Sequence, residues 1–258
     1  MTGAERIERA IRVRAERDEP ALVAFLTAGY PARELFREHL AAVASSADVV
    51  EIGVPFTDPM ADGVTIQRAA HAALKSGVTL SWILSELERD GARATPILLM
   101  SYLNPLLAYG LERLAGSAAR AGVAGFIVPD LPYEECAGLR SALDARGLAL
   151  VQMVTPVTPP ARLARLCQAS GGFVYAVTMT GTTGSKVAIP DEVVRYLDRV
   201  RCASTVPVCA GFGIRGADQI ERLRRHADGV IVGSALVEVL ERGEDPAAFL
   251  RSLRPARA

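Results

Sequence analysis

Short apolar runs alternate along the whole chain with longer segments in which apolar residues recur at helical spacing. An apolar run bounded by glycine or proline is typical of a strand buried on both faces, and the longer periodic segments are typical of amphipathic helices. The pattern predicts strands at 21–27, 48–53, 96–100, 125–128, 148–154, 172–177, 206–209 and 229–232. It predicts helices at 4–16, 32–45, 65–76, 80–88, 111–121, 133–146, 161–169, 191–202, 216–225 and in two segments up to 253, and a loop at Ser101–Pro105.

This alternation of about eight strand–helix units with short loops predicts a (β/α)8 TIM barrel. We expect residues 1–258 to form a single domain, because no linker or low-complexity tract interrupts the pattern. The extra N-terminal helix at 4–16 is expected to cover the barrel bottom with Ile7, Ile11 and Val13. A doubly wound open sheet is the alternative, but no Gly-x-Gly-x-x-Gly turn follows an early strand.

The stretch Val49–Gln67 combines a buried strand with acidic residues. Glu51 interrupts the apolar run, where an ionised carboxylate is costly unless it is paired or used in chemistry. Pro55 and Pro59 prevent an immediate helix, so Asp62 comes on a stiff loop before the next helix begins. Barrel enzymes carry their catalytic groups at this end of their strands, so the stretch predicts an active site.

A structural role accounts for part of this stretch. Asp62 or Thr65 could cap the following helix, since both residue types accept hydrogen bonds from free N–H groups at a helix start. Helix capping would account for an acid at position 62, but it gives no reason for an acid inside a buried strand. We therefore interpret Glu51 as a catalytic residue.

The charge balance and the cysteines exclude several classes of protein. Lys plus Arg number 29 and Asp plus Glu number 29, which leaves no general basic surface for nucleic acid. The four cysteines lack Cys-x-x-Cys spacing and an accompanying histidine cluster, so we expect neither disulfides nor a metal. There is no apolar signal core and no apolar run of about 18 residues that could span a membrane. These features predict a cytoplasmic protein.

Three loops rich in small residues follow the late predicted strands, at Gly181–Gly184, Gly211–Gly213 and Gly233–Ser234. Glycine lets the backbone approach an anion closely, and the N–H groups at a helix start add partial positive charge. Barrels often bind phosphate with the loops after strands 7 and 8, where the last two of these loops fall. We therefore predict a phosphate site at Gly184, Gly213, Gly233 and Ser234, although each loop alone could simply end a strand.

The stretch that begins at Glu51 resembles the signature of the tryptophan synthase alpha subunit family, a strand glutamate followed by Gly-Val-Pro-Phe-Ser-Asp-Pro-x-Ala-Asp-Gly-Pro-x-Ile-Gln. Thr57 stands here for the serine, and Val64 for the later proline. The late glycine loops match the family's phosphate elements, and the resemblance covers essentially the whole chain. It implies a lyase of tryptophan biosynthesis that cleaves indole-3-glycerol phosphate, by a retro-aldol reaction, to indole and glyceraldehyde 3-phosphate.

The resemblance assigns catalytic roles to three residues. Glu51 is the candidate acid–base group for ring carbon 3 and for the side-chain hydroxyl, because burial should raise its pKa towards the operating pH. Asp62 is the candidate acceptor for the ring N–H, where positive charge develops. Tyr175 matches a functional tyrosine of the family and could position Glu51 or relay a proton to it.

A pocket for the indole ring is predicted from apolar side chains on or just beyond the strand ends. Its candidate residues are Phe25, Met100, Tyr102, Ile127 and Phe212. Each of them alone could equally belong to the ordinary core of a barrel.

The long loop 178–190 resembles the family's mobile lid. In the family this loop closes over the substrate, and Thr183 and Asp62 match the two residues that then meet. Met179 stands where the family often has arginine, and Thr182 replaces a valine. These departures concern the motion of the lid and its signalling to a partner rather than the chemistry.

The resemblance implies that this chain needs no cofactor and that pyridoxal phosphate belongs to a partner beta subunit in an alpha2beta2 tetramer. The loop Pro55–Asp62 and the lid would face that partner. One alternative is a free-standing lyase that releases indole for another pathway. Another is a weakly catalytic allosteric binding subunit, against which the intact Glu51, Asp62 and Tyr175 count.

A different phosphosugar enzyme, such as an isomerase, would want a histidine or lysine near the mouth of the barrel. Lys75 and Lys186 are the only lysines, and neither lies on a predicted strand end. His39 and His71 fall within helical patterns, where a surface or helix role is expected for them.

Overall fold

A computed structural model describes residues 1–91, 93–178, 189–211 and 213–254 of the chain. Within these ranges eight parallel strands form a closed barrel in sequence order, with β8 paired to β1. The strands are β1 Ala21–Thr27, β2 Val49–Gly53, β3 Ile97–Met100, β4 Val123–Ile127, β5 Ala149–Val154, β6 Val174–Val177, β7 Val208–Gly211 and β8 Gly229–Val232. The predicted TIM barrel is confirmed.

Helices lie between the strands and cover the outside of the barrel. Those of the described ranges are α1 Gly3–Ala15, α2 Phe36–Ala44, α3 Val64–Lys75, α4 Leu80–Asp90, α5 Leu103–Tyr109, α6 Leu111–Arg120, α7 Ala137–Asp144, α8 Pro160–Ala169, α9 Asp191–Ala203, α10 Ala217–Leu223, α11 Ser234–Glu241 and α12 Pro246–Ser252. Short 3-10 helices at Arg33–Leu35 and Tyr133–Glu135 precede α2 and α7. None of these helices has the length and apolar character needed to cross a membrane.

The N-terminal helix α1 closes the bottom of the barrel, as predicted. Thr2 and Glu5 form a capping box at its start, and Ile7 and Ile11 are fully buried in the barrel interior. The expectation for Val13 is wrong, because this side chain is 40% exposed. Ile7 and Ile11 are one helical turn apart and share a face, whereas Val13 follows Ile11 by only two positions and lies on the other side.

The loop predicted at Ser101–Pro105 is correct for Ser101 and Tyr102 but wrong from Leu103 onwards, because α5 begins there. Pro105 lies in the first turn of α5, where the N–H group that proline lacks would have no helical partner. β7 begins at Val208, two residues later than predicted, directly after Pro207. Proline has no N–H group for the neighbouring strand, so pairing starts behind it.

Side chains alternate along each strand between the barrel interior and the layer under the helices. The interior cluster contains Ile7, Ile11, Ala21, Val23, Val49, Leu98, Ala124, Ile127, Ala149, Val151, Phe173, Tyr175, Cys209 and Ile231. Glu51 follows Val49 by two positions and therefore points inward as well. Its neighbours in register are Phe25 on β1 and Leu98 on β3. The strand period thus places one acid inside the barrel, close to the carboxyl end of β2.

Candidate active site

Glu51 is the most deeply buried acid of this site, with 1% of its surface exposed. Its Oε2 atom has no hydrogen-bond partner among the residues that the structure describes. Burial, helped by the negative charge of Asp62, raises the pKa of Glu51 to about 8. The carboxyl group is therefore protonated at neutral pH and close to the pKa at which it can both donate and accept a proton.

Asp62 lies on the loop between β2 and α3, where it is half-buried. The hydroxyl of Tyr102 donates to Asp62 Oδ2 at 3.0 Å and accepts from the backbone N–H of Ala61 at 2.8 Å. Burial raises the pKa of Asp62, and the Tyr102 hydrogen bond opposes that shift. Burial and the charge of Asp62 raise the pKa of Tyr102, which therefore stays a hydrogen-bond donor.

The structure removes the capping explanation for Asp62. Gly63 is the N-cap of α3, and within the described residues no side chain caps this helix. Val64, which replaces the family's proline, is the first helical residue and is 73% exposed. The hydrogen bond from Tyr102, and not the start of α3, therefore orients the Asp62 carboxylate.

The loop that carries Asp62 is anchored to α3 by two side chains. Gln67 Nε2 donates to the carbonyl oxygens of Asp62 at 2.9 Å and of Pro59 at 3.3 Å. One turn further on, His71 Nε2 lies 3.0 Å from the carbonyl oxygen of Thr57, which can only accept. His71 is thus an exposed helix residue with a local structural contact. These bonds hold the loop close to the barrel mouth.

Tyr175 is buried on the inner face of β6, with 7% of its surface exposed. Burial raises the pKa of its phenol, and the negative charges of Glu51 and Asp62 raise it further. Gly211 on neighbouring β7 makes room for the ring, because a Cβ atom there would lie 2.3 Å from Tyr175 Cε1. The three candidate catalytic residues therefore share one electrostatic environment inside the barrel.

A small pocket opens beside Asp62 at the carboxyl ends of β1 to β3. Phe25, Met100 and Tyr102 line it, all three being candidates for the indole pocket. Phe56 stacks on Tyr102 with ring centroids 5.2 Å apart. Ile127 is fully buried in the interior cluster, against which Met100 also packs. Phe212 lies outside the described residues.

Gly53 leaves the space in which the ring of Phe25 lines this pocket. The two residues lie on adjacent strands, and a Cβ atom on Gly53 would come within 2.5 Å of Phe25 Cζ. The ring of Phe25 therefore occupies the space above the backbone of β2. Any larger residue at position 53 would displace it.

The two late loops follow β7 and β8, which are adjacent strands. Gly213 has a positive φ of 72°, a conformation that favours glycine. Gly233 is the N-cap of α11, and its carbonyl accepts from Leu236 and Val237. In the described part of the chain no side chain caps α11, and the first N–H groups of an uncapped helix can bind an anion. Gly184 and Thr183 lie outside the described residues.

Sequence reasoning missed two features of this site. The sequence placed Tyr102 in the apolar pocket only, whereas the Tyr102 hydroxyl also donates a hydrogen bond to the Asp62 carboxylate. It also passed over Arg215 and Glu238, which form a two-pronged ion pair beside the late loops. The sequence signal for the pair was an arginine two residues beyond a glycine loop, which alone does not identify its partner.

Comparisons with known proteins bear on the family and the fold of this chain. The family model described as tryptophan synthase alpha chain matches residues 12–254. The tryptophan synthase alpha chain of Nitratidesulfovibrio vulgaris strain Hildenborough is 45% identical over 251 residues, which cover 96% of this chain and 98% of that protein. The corresponding protein of Geobacter sulfurreducens is 43% identical over 244 residues, 92% of each chain.

Solved structures give the same result for the fold. The crystal structure of tryptophan synthase subunit alpha from Legionella pneumophila matches with a TM-score of 0.87 and 32% identity, covering 98% of this chain and 97% of that chain. The aminoacrylate-bound form of tryptophan synthase from Mycobacterium tuberculosis matches with a TM-score of 0.85 and 34% identity, covering 96% and 97%. The whole barrel, not one motif, is shared with these proteins.

Proposed function

Because the chain belongs to the tryptophan synthase alpha chain family, we propose that it cleaves indole-3-glycerol phosphate to indole and glyceraldehyde 3-phosphate as the alpha subunit of tryptophan synthase. The observation that carries the assignment of the chemistry is Glu51, a buried acid with a pKa raised to about 8 at the carboxyl end of a barrel strand. A carboxyl group in this state suits a reaction that needs proton donation and proton removal in turn.

Both proton transfers of the reaction can be written with the carboxyl group of Glu51. Protonated Glu51 gives its proton to carbon 3 of the indole ring, and the positive charge passes to the ring nitrogen. The Glu51 carboxylate then takes the proton of the side-chain hydroxyl, a carbonyl forms, and the carbon–carbon bond breaks with its electron pair returning to the ring. Glu51 ends the cycle protonated, so no net proton is consumed.

Asp62 and Tyr175 support this cycle from two sides. The carboxylate of Asp62, oriented by Tyr102, would accept the ring N–H and stabilise the positive charge on the nitrogen. Tyr175, buried close enough to Glu51 to respond to its charge, would position the acid. Phe25, Met100, Tyr102, Ile127 and Phe212 would surround the ring, and Thr183 would close the lid over it.

The phosphate would bind at Gly184, Gly213, Gly233 and Ser234. At Gly213, replacement by Asp should weaken the binding of glycerol 3-phosphate by roughly tenfold or more, because it adds a carboxylate beside an anion and a Cβ atom at positive φ. Isothermal titration calorimetry with glycerol 3-phosphate measures the effect. Gly213→Asn is the matched control, since it has the same shape without the charge and tolerates positive φ.

The control separates two contributions. Gly213→Asn should retain most of the affinity, so that the difference between the two variants reports charge repulsion. Unchanged affinity in Gly213→Asp would move the phosphate site away from this loop.

We also propose that this chain carries no cofactor of its own and that pyridoxal phosphate belongs to a partner beta subunit. In the cycle written above, Glu51 would supply both proton transfers and Asp62 would stabilise the charge on the ring nitrogen, so no step calls for a further group. Cys136, Cys167 and Cys209 are buried free thiols, which fits a reducing compartment and a cytoplasmic location.

The beta subunit should raise the rate of cleavage. The loop Pro55–Asp62 is already held by α3, so little ordering entropy opposes docking. Allosteric couplings are typically about 1–3 kcal/mol, so we expect an increase of roughly 5–150-fold. Indole formation by the purified chain is measured alone and with the beta subunit of its own organism. A fast rate that the partner leaves unchanged would support a free-standing lyase instead.

A further inference from the structure

Glu238 connects three elements that surround the proposed phosphate site. It lies on α11, one helical turn beyond Ser234 and on the same face of the helix. Its two carboxylate oxygens accept from Arg215 Nη1 at 2.8 Å and Nη2 at 2.9 Å. The hydroxyl of Thr65, in the first turn of α3, donates to Glu238 Oε1 at 3.4 Å. One carboxylate therefore meets the loop after β7, helix α11 and the start of α3.

The ion pair is well formed. The side chains of Arg215 and Glu238 are 34% and 26% exposed, so water competes only in part for their charges. Hydrogen bonds from Arg215 lower the pKa of Glu238, which is ionised at neutral pH. Two parallel hydrogen bonds fix the relative orientation of the two groups, which a single contact does not.

The positions of these residues relate the pair to the active site. Arg215 comes two residues after Gly213, and Thr65 comes three residues after Asp62. The backbone N–H of Arg215 donates to Gln219 Oε1 at 2.7 Å, which holds the same loop from α10. A shift of Glu238 would thus act on the phosphate loop at one end and on the Asp62 loop at the other.

Helices α3 and α11 pack side by side, and their apolar seam reaches the active site. Ala69 and Val237 are fully buried in one cluster with Phe25. A second ion pair, Arg68 with Glu241 at 2.5 Å, ties the two helices one turn further from the site. This second pair resembles that of Glu238 in charge and spacing, but among the described residues no hydrogen bond or ion pair joins it to the loop after β7.

We infer that Glu238 is a positioning residue that couples binding of the substrate phosphate to the placement of Asp62. Phosphate bound at Gly213 and Ser234 fixes the position of the loop after β7 relative to the start of α11. The ion pair between Arg215 and Glu238 stabilises this arrangement. The hydrogen bond from Thr65 to Glu238 connects it to the loop that carries Asp62. This inference rests on the proposed function, because it assigns the phosphate of that substrate to these loops.

The test compares Glu238→Gln with the matched control Glu241→Gln. Glu238→Gln loses one of the two hydrogen bonds from Arg215 and the charge, so the dissociation constant for glycerol 3-phosphate should rise roughly fivefold in calorimetry. In turnover, the ratio of kcat/KM for indole-3-glycerol phosphate to kcat/KM for indole-3-glycerol should fall by a similar factor. Glu241→Gln should leave both quantities unchanged.

The substrate without phosphate separates positioning from stability. A purely structural role for Glu238 would lower kcat/KM for both substrates equally, and that result would overturn the inference. Arg215→Gln provides a second variant and should reproduce the loss, with little further effect in the double variant. Additive losses in the double variant would also contradict the coupling.

Failure of the proposed function would look different. If the unmodified chain cleaved neither substrate, the lyase assignment would be wrong. The link from Glu238 to the phosphate loops would still stand if glycerol 3-phosphate binding weakened in Glu238→Gln and not in Glu241→Gln. If affinity for glycerol 3-phosphate were the same in all variants, the inference would fail whatever the turnover.

Discussion

Replacing Glu51 with Gln should reduce indole formation by about 10²–10⁴-fold, the usual contribution of a general acid–base group. The amide has almost the same shape as the carboxyl group, but it can neither give up a proton to carbon 3 nor accept one from the hydroxyl. The barrel should remain intact, because Gln replaces an acid that is already uncharged in the folded protein at neutral pH. Steady-state turnover of indole-3-glycerol phosphate measures the loss.

Two controls accompany this variant. Glu112→Gln changes an exposed glutamate on α6 and should leave turnover unchanged. Calorimetry with glycerol 3-phosphate should give nearly the same affinity in Glu51→Gln as in the unmodified chain. A Glu51→Gln variant that keeps most of its turnover would rule out Glu51 as the acid–base group.

Replacing Asp62 with Asn should cost about 10²–10³-fold in turnover, comparable to removing a group that stabilises developing charge. Tyr102 can still donate to the amide oxygen, so the side chain keeps its orientation while the negative charge that stabilises the ring nitrogen is lost. Tyr102→Phe keeps the charge and removes the orienting hydrogen bond. Its loss should be smaller, about tenfold or less.

A substrate analogue without the ring N–H gives an independent test of Asp62. The unmodified chain should cleave it poorly, and Asp62→Asn should make little further difference. If the unmodified chain cleaved the analogue as fast as the substrate, the role given to Asp62 would be wrong.

The central features of the fold could be predicted from the sequence because each depends on a local pattern. β1 and β8 have the predicted bounds. Each is a continuous apolar run bounded by glycine or proline, which is typical of a strand buried on both faces of a parallel sheet. Glu51 was identified by its position in such a run, and the strand period then places it inside the barrel. A polar residue that conflicts with its surroundings is a strong signal for function.

Contacts between distant segments could not be predicted in this way. Tyr102 and Asp62 are 40 residues apart, and the sequence around either residue does not indicate that the two form a hydrogen bond. Arg215 and Glu238 are separated by 23 residues, and neither segment carries a local pattern that predicts their pairing. α5 escaped prediction because proline near a helix start has the same local appearance as proline in a loop.

The pH dependence of kcat/KM for indole-3-glycerol phosphate tests most directly whether Glu51 is the acid that begins the reaction. On the acid side the rate should rise as Asp62 ionises, with an apparent pKa above the ordinary carboxyl range because burial raises it. On the alkaline side it should fall with an apparent pKa of about 8, as Glu51 loses the proton that carbon 3 must receive. A rate that stays level through pH 9 and beyond would contradict this account.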